Sequence, residues 1–140
     1  PFLREKVVPI MILNKDSILQ AQDIKTELVP VPEWGGDVYV RGMNGAERDK
    51  FEASIVQMKG KDQTVNMVNI RAKLASMTIC DEQGARLFSD ADIAKLATKS
   101  AVALQRIFSV AQRLSGIGEQ DVKELAEGLS ENPLEDSASA

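Results

Sequence analysis

Cys80, the only cysteine of the chain, stands immediately before Asp81 and Glu82, a thiol beside two carboxylates. Nucleophilic work by a thiol needs a lowered pKa, and neighbouring acids raise it instead. The chain also has no histidine, which removes Ser-His-Asp and Cys-His catalysis together with the commonest metal ligand. Cys80 therefore reads as a small buried thiol at a helix end. The carboxylate pairs Asp81/Glu82, Asp90/Asp92 and Glu135/Asp136 lack the alternating spacing and closing Glu of a calcium loop, and turn or cap duty explains them. Gly42-Met43-Asn44-Gly45 and Gly116-Ile117-Gly118 lack the Lys-Ser/Thr ending of a phosphate loop, so they read as a helix start and a helix exit. No catalytic residue, cofactor or metal is expected.

What remains is binding. Trp34 is the only Trp and Tyr39 the only Tyr, set around a Gly35-Gly36 pair in the run Val31–Arg41. Trp is enriched in binding hot spots, yet such a ring more often folds back over its own core, and both readings stand. Val122, Leu125, Ala126 and Leu129 recur at helical spacing near the C-terminus. Trp34, Tyr39, Val122, Leu125 and Leu129 are the candidate partner contacts.

The elements that must position these residues can be read from period and punctuation. Asn14-Lys15-Asp16-Ser17 caps a short helix ending near Asp23. Leu28–Pro32 is extended, and Pro30 and Pro32, two apart, remove amide donors from one side, which must be a sheet edge. Val38–Arg41 is its partner, with Glu33–Asp37 as the connection. Asn44 with Glu47 is a capping-box pattern opening a helix over about 45–58. A second long helix carries Val65, Val68, Ala72, Ala75 and Ile79, with Ile70, Leu74 and Met77 widening its stripe enough to bury more than one side. A turn at Asp81–Gly84 and a cap of Ser89 with Asp92 precede a helix bearing Ile93 and Leu96. The clearest pattern runs from Ser100 to Ser115: Leu104, Ile107, Phe108, Ala111 and Leu114 make one stripe, while Gln105, Arg106, Ser109, Gln112 and Arg113 face away. Gly116 follows as its C′ residue.

The expected fold is α+β and predominantly α-helical, with four to five helices and a small antiparallel β-hairpin around residues 27–42, joined by residues 85–88 if the sheet extends. Residues 1–10 are set apart as an N-terminal extension or expression remnant, residues 11–129 form a single domain, and residues 130–140 are an acidic disordered tail. At 140 residues, 44% apolar and 27% charged, one aliphatic core fits. No run reaches the ~20 apolar residues of a membrane span. Net charge is −4. From Gly116 onward seven acids face one lysine, which leaves −6 there and +2 on residues 1–115. No basic patch suits nucleic acid.

Three blocks carry a family resemblance. They are Pro32-Glu33-Trp34-Gly35-Gly36 with Gly45-Ala46-Glu47-Arg48-Asp49, then Cys80-Asp81-Glu82 with Gly84, Leu87 and Phe88, then Leu104–Phe108 with Leu114-Ser115-Gly116. From about Met11 to Leu129 the chain resembles the tail assembly chaperones of long-tailed bacteriophages, in their short, non-frameshifted form. The resemblance implies a non-catalytic protein of the host cytoplasm, absent from the mature virion. It would bind the phage tape measure protein and help tail tube protein polymerise, the latter through a longer frameshifted form. Weak self-association is a further expectation. The competing reading is a structural tail component retained in the virion, such as a tube or terminator subunit.

Overall fold

The computed structural model describes residues 10–117. The N-terminal extension up to residue 9, the acidic tail and the stripe of Val122, Leu125 and Leu129 lie outside the described residues. Helix α1 (Lys15–Gln20) is opened by Asn14, whose side chain accepts from the Ser17 amide. It stops three residues earlier than its sequence pattern suggests.

Strands β1 (Thr26–Val31) and β2 (Gly36–Arg41) form the expected antiparallel hairpin, in register from Thr26 opposite Arg41 to Val31 opposite Gly36. The connection is tighter than expected: a single 3-10 turn, Pro32–Trp34, is closed by Gly35 at φ 79, and Asp37 belongs to the strand. That left-handed φ is one a side chain would resist. Pro32 belongs to the turn, not to the expected extended run, so Pro30 is the one proline in the strand. With β5 (Ile79–Cys80) the sheet order is β1-β2-β5 and β1 lies at the edge, where a residue without an amide proton is tolerated. The third strand, β5, pairs Tyr39 with Cys80 and Val40 with Ile79, so Cys80 sits in a strand and not at a helix end. Beyond it the 85–88 segment joins only through a bridge between Cys80 and Arg86.

Helix α2 (Gly45–Ile55) carries the full Asn44/Glu47 capping box. It ends three residues before the expected Met58. Residues 56–65 are neither helix end nor helix start but a second hairpin, β3 (Val56–Lys59) with β4 (Asp62–Val65), turned on Gly60 and Lys61. The apparent helical spacing of Val65 and Val68 with the residues that follow is therefore accidental: Val65 lies in β4 and Val68 is exposed. Helix α3 spans only Ile70–Thr78, but its burial on more than one side is as the widened stripe implied, with seven of its nine residues buried. The buried hydroxyls of Ser76 and Thr78 donate back to the Lys73 and Leu74 carbonyls, which removes the cost of leaving them unpaired.

The Ser89/Asp92 capping box opens a 3-10 turn that runs into α4 (Ile93–Leu96). Helix α5 (Ala101–Leu114) buries Ala103, Leu104, Ile107, Phe108 and Ala111. It ends in a Schellman motif: the Ile117 amide donates to the Gln112 carbonyl at 2.8 Å and the Gly116 amide to the Arg113 carbonyl at 3.2 Å. Gln112, expected to face away, is buried. Its position lies one step past Ala111 in the last turn, onto which the Ile117 amide folds back and to which the Met43 amide is bonded through Ser115.

The core is shared by the inner face of the sheet (Val29, Val31, Val40, Ile79), α3 and α5. Two ion pairs fix the direction of α5 along the hairpin: Arg113 with Glu27 at 2.8 Å and Arg106 with Glu33 at 2.7 Å. The hairpin tip thus lies toward the first half of α5, and the start of β1 lies beside its end. Among the described residues no helix is long and apolar enough to cross a membrane.

Candidate functional site

An unpacked apolar arm is the most unusual surface of the described chain. Ile10, Met11 and Ile12 are between 81% and 93% exposed, and Leu13, Ile18 and Leu19 follow at 57–71%. No residue of α1 is buried. A six-residue helix is far below the ~12 residues at which helices become even marginally stable by themselves, so the Asn14 cap holds a turn whose apolar side chains lack a partner surface among the described residues. The sequence reading sets aside only Ile10 of this arm and takes the rest as the start of the domain, without offering it as a contact surface. The signal that could have identified it was present: Ile10-Met11-Ile12-Leu13, then Ile18 and Leu19 after the polar cap Asn14–Ser17, with too few neighbours to form a core of their own.

Trp34 is half-buried and packs against the core. It also walls a hollow of about 170 Å³ with Phe88 and the buried Leu96, while Lys95 and Lys99 stand exposed at its margin. The ring covers core, as one of its two readings expects, and it also lines this cavity. The hairpin tip that carries it is pinned by Glu33 and Arg106. That guanidinium holds the Glu33 carboxyl at a pKa of about 2, so the pair stays charged across the physiological range. Asp92, also on the lining, accepts from the Ser89 amide and hydroxyl. Among the described residues neither Lys95 nor Lys99 takes part in an ion pair.

Tyr39 is placed elsewhere. It alternates with the inward Val40 and sits between Leu28 and Cys80 in register, on the other face of the sheet. It is half-buried, beside a Leu28 that is 50% exposed. The structure does not bring Trp34 and Tyr39 together. On the Tyr39 face, Arg41 makes a two-pronged pair with Glu47, at 2.9 and 2.5 Å. The Glu47 carboxyl lies below the usual range mainly because Arg41 donates to it. Cys80 is buried, and burial, with Asp81 adding to it and Arg41 opposing, pushes its thiol up from the ordinary value. That is the opposite of nucleophile activation. Asp81 accepts from the Gln83 and Ala85 amides, the turn role read from the sequence. Among the described residues no three Cys, Asp or Glu side chains gather into a metal-sized cluster. The arrangement offers surfaces for binding.

A second hollow of about 200 Å³ opens at the start of α3 and α5, bounded by Met67, Ile70, Ala97, Lys99 and Leu104. Exposed Met67, Val68 and Val102 continue it outward. Arg71 covers the adjoining Phe108 ring, its guanidinium carbon 5.8 Å from the centroid, and bonds Gln105.

Comparison with curated proteins gives no match. Among solved structures, the fold is similar to that of the bacteriophage HK97 tail assembly chaperone, with a TM-score of 0.52 and 18% identity over 74% of this chain and 95% of that one. At that identity the likeness speaks for the fold. The family model for phage tail assembly chaperones matches residues 14–128, a span that holds all three blocks of the resemblance and every described element. By that match, the chain belongs to the phage tail assembly chaperone family.

Proposed function

We propose that this protein is a non-catalytic chaperone of the phage tape measure protein, acting in the cytoplasm of the infected or lysogenic host and absent from the finished virion. The observation that carries the reading is the arm Ile10–Leu19, whose apolar side chains are exposed beside a well-packed body. A long, apolar, helical client needs a reversible partner that offers apolar side chains on a soluble scaffold, with no chemistry attached. Family membership supplies the context of tail assembly.

In this reading, many copies bind side by side along the client. Avidity then comes from repeated weak contacts, including contacts between copies, and not from one strong site. Help to tail tube protein falls to a longer, frameshifted form of the chain, in which residues 130–140 act as a tether between the folded body and the extension.

Co-expression tests the proposal. The tape measure protein of the same phage should stay soluble and co-purify with it, and substitutions in the arm should abolish both effects. A tape measure protein that aggregates equally with and without the chaperone would defeat the reading. Mass spectrometry of purified particles separates it from the alternative of a tube or terminator subunit, because a chaperone is missing from the particle and a structural subunit is present in stoichiometric amount.

A further inference from the structure

The Trp34 hollow is apolar within and bordered by two lysines that have no acidic partner among the described residues. An apolar cavity with a cationic margin suits an apolar side chain carried on an acidic segment. The chain holds such a segment. Read at helical spacing, Val122, Leu125, Ala126 and Leu129 share one face, with Asp121 on its flank and Glu124 and Glu127 on the far side. Of the eight charged side chains after Gly116, seven are acidic, whereas residues 1–115 carry a net positive charge.

The distance is one the chain can cover. Glu33 pairs with Arg106 and Glu27 with Arg113, so the hollow lies toward the start of α5, one helix length of ~21 Å from Ile117. Residues 118–121 in extended form span ~13 Å. A helical 122–129 adds ~10 Å in the same direction. Leu125 and Leu129 can therefore arrive at the hollow without disturbing the Schellman motif at Gly116. A segment tethered this closely has an effective concentration in the millimolar range. A few apolar contacts and screened ion pairs are then enough to seat it, although the same segment added as a free peptide would bind weakly.

We propose that residues 121–129 of this chain dock in the hollow formed by Trp34, Phe88 and Leu96, with Leu125 and Leu129 as the inserted side chains and Lys95 and Lys99 facing Asp121 at the flank of the segment. The dock occupies a surface separate from the N-terminal arm. Its fate is thus independent of the arm's role with the tape measure protein.

Trp34 is the only tryptophan, so its fluorescence reports the dock directly in the full-length chain. In the wild-type protein the ring is shielded. Leu125→Asp should shift its emission to the red and roughly double its quenching by acrylamide, with the melting temperature of the body unchanged. Lys95→Glu combined with Lys99→Glu should give the same shift, and adding Asp121→Lys should reverse it. Identical emission and quenching in the wild type and in Leu125→Asp would overturn the proposal. So would shielding that is lost on dilution of the wild type, which would assign the occupant of the hollow to a second copy.

Discussion

The backbone of Gly42 lies against the carbonyl of Leu114, so closely that a Cβ at position 42 would stand 2.5 Å from the oxygen and 3.0 Å from the carbon. Both obstructing atoms are backbone, so no side-chain rotation relieves the clash. The neighbouring contact points the same way: the Met43 amide donates to the Ser115 hydroxyl at 3.0 Å. Together they fasten the link between β2 and α2 to the final turn of α5. Gly42→Ala should therefore cost about 2 kcal/mol or more, the scale of overpacking in a well-filled site. Ser115→Ala should cost on the order of 1 kcal/mol, for one amide left without its partner. Thermal melts of the two variants check this, and equal melting of Gly42→Ala and wild type would show that the two backbones do not meet.

The α5 stripe gives a second measure of stability. Leu104 and Phe108 are 5% and 8% exposed, in contact with the core that α3 and the sheet share. An aspartate at either position leaves an unpaired charge in that core, which should destabilise by on the order of 4 kcal/mol. Chemical denaturation of Leu104→Asp and Phe108→Asp reads the loss as a lower midpoint. Ser109→Asp, at an exposed position on the opposite face of the same helix, should change stability by less than about 0.5 kcal/mol.

The elements legible in the sequence were those whose signals agreed with one another. In α5 the apolar period, the Ser100 start and the Gly116 stop all indicate one helix. In the β1-β2 hairpin Pro30 already marks the free edge. Over residues 56–69 two signals compete. Met58 lies three residues past Ile55, and Val65 three before Val68, steps that a helix can also use, and Gly60 serves equally as a helix break or a turn residue. The four-residue strands are short enough that strand alternation never has room to establish itself. Strand β5 was hidden for a related reason, since two residues continuing the apolar stripe of α3 cannot be told from its last turn. The buried Gln112 lies in a last turn onto which the Ile117 amide folds back and to which the Met43 amide is bonded through Ser115, an arrangement that no apolar period encodes. Of the candidate contacts, Trp34 was legible through composition alone. The cavity it lines depends on α4 being folded against the hairpin, a long-range arrangement.

Acid should loosen the fold through particular carboxylates. Glu47 closes the α2 capping box and accepts two bonds from Arg41, and its pKa is lowered from an ordinary 4.5. A carboxylate whose folded pKa is depressed contributes stability that is fully present above the unfolded value and is lost as pH falls through the folded one. Glu33, held at about 2 by Arg106, follows the same sign. Melting temperature should therefore be level from pH 7 to about 5 and decline below pH 4.5. Glu47→Gln should be less stable at neutral pH and show a shallower decline in acid, because part of what acid removes is already missing. Glu33→Gln should shift the curve little, since its pair lies at the surface where solvent and salt screen it. An acid limb of unchanged slope in Glu47→Gln would separate the Arg41 pair from the stability of the fold.

The exposed arm separates folding from binding more cleanly than any core position. Ile12 is 93% and Leu19 71% exposed, so neither contributes packing that the isolated protein would miss. Ile12→Asp combined with Leu19→Asp should leave melting within about 0.5 kcal/mol of wild type, as surface changes away from caps and cores do. The Asn14 cap and the first turn of α1 stay intact. If the arm meets the tape measure protein or another copy, the double variant should lose co-purification with the client, and its sedimentation coefficient should stop rising with concentration. Burial of even two such side chains against a partner is worth about 3–6 kcal/mol, enough to move a weak association out of reach. A double variant that folds, self-associates and holds the client like wild type would place the binding surface elsewhere, with the hollow beside Met67, Val68 and Val102 as the next apolar surface to test.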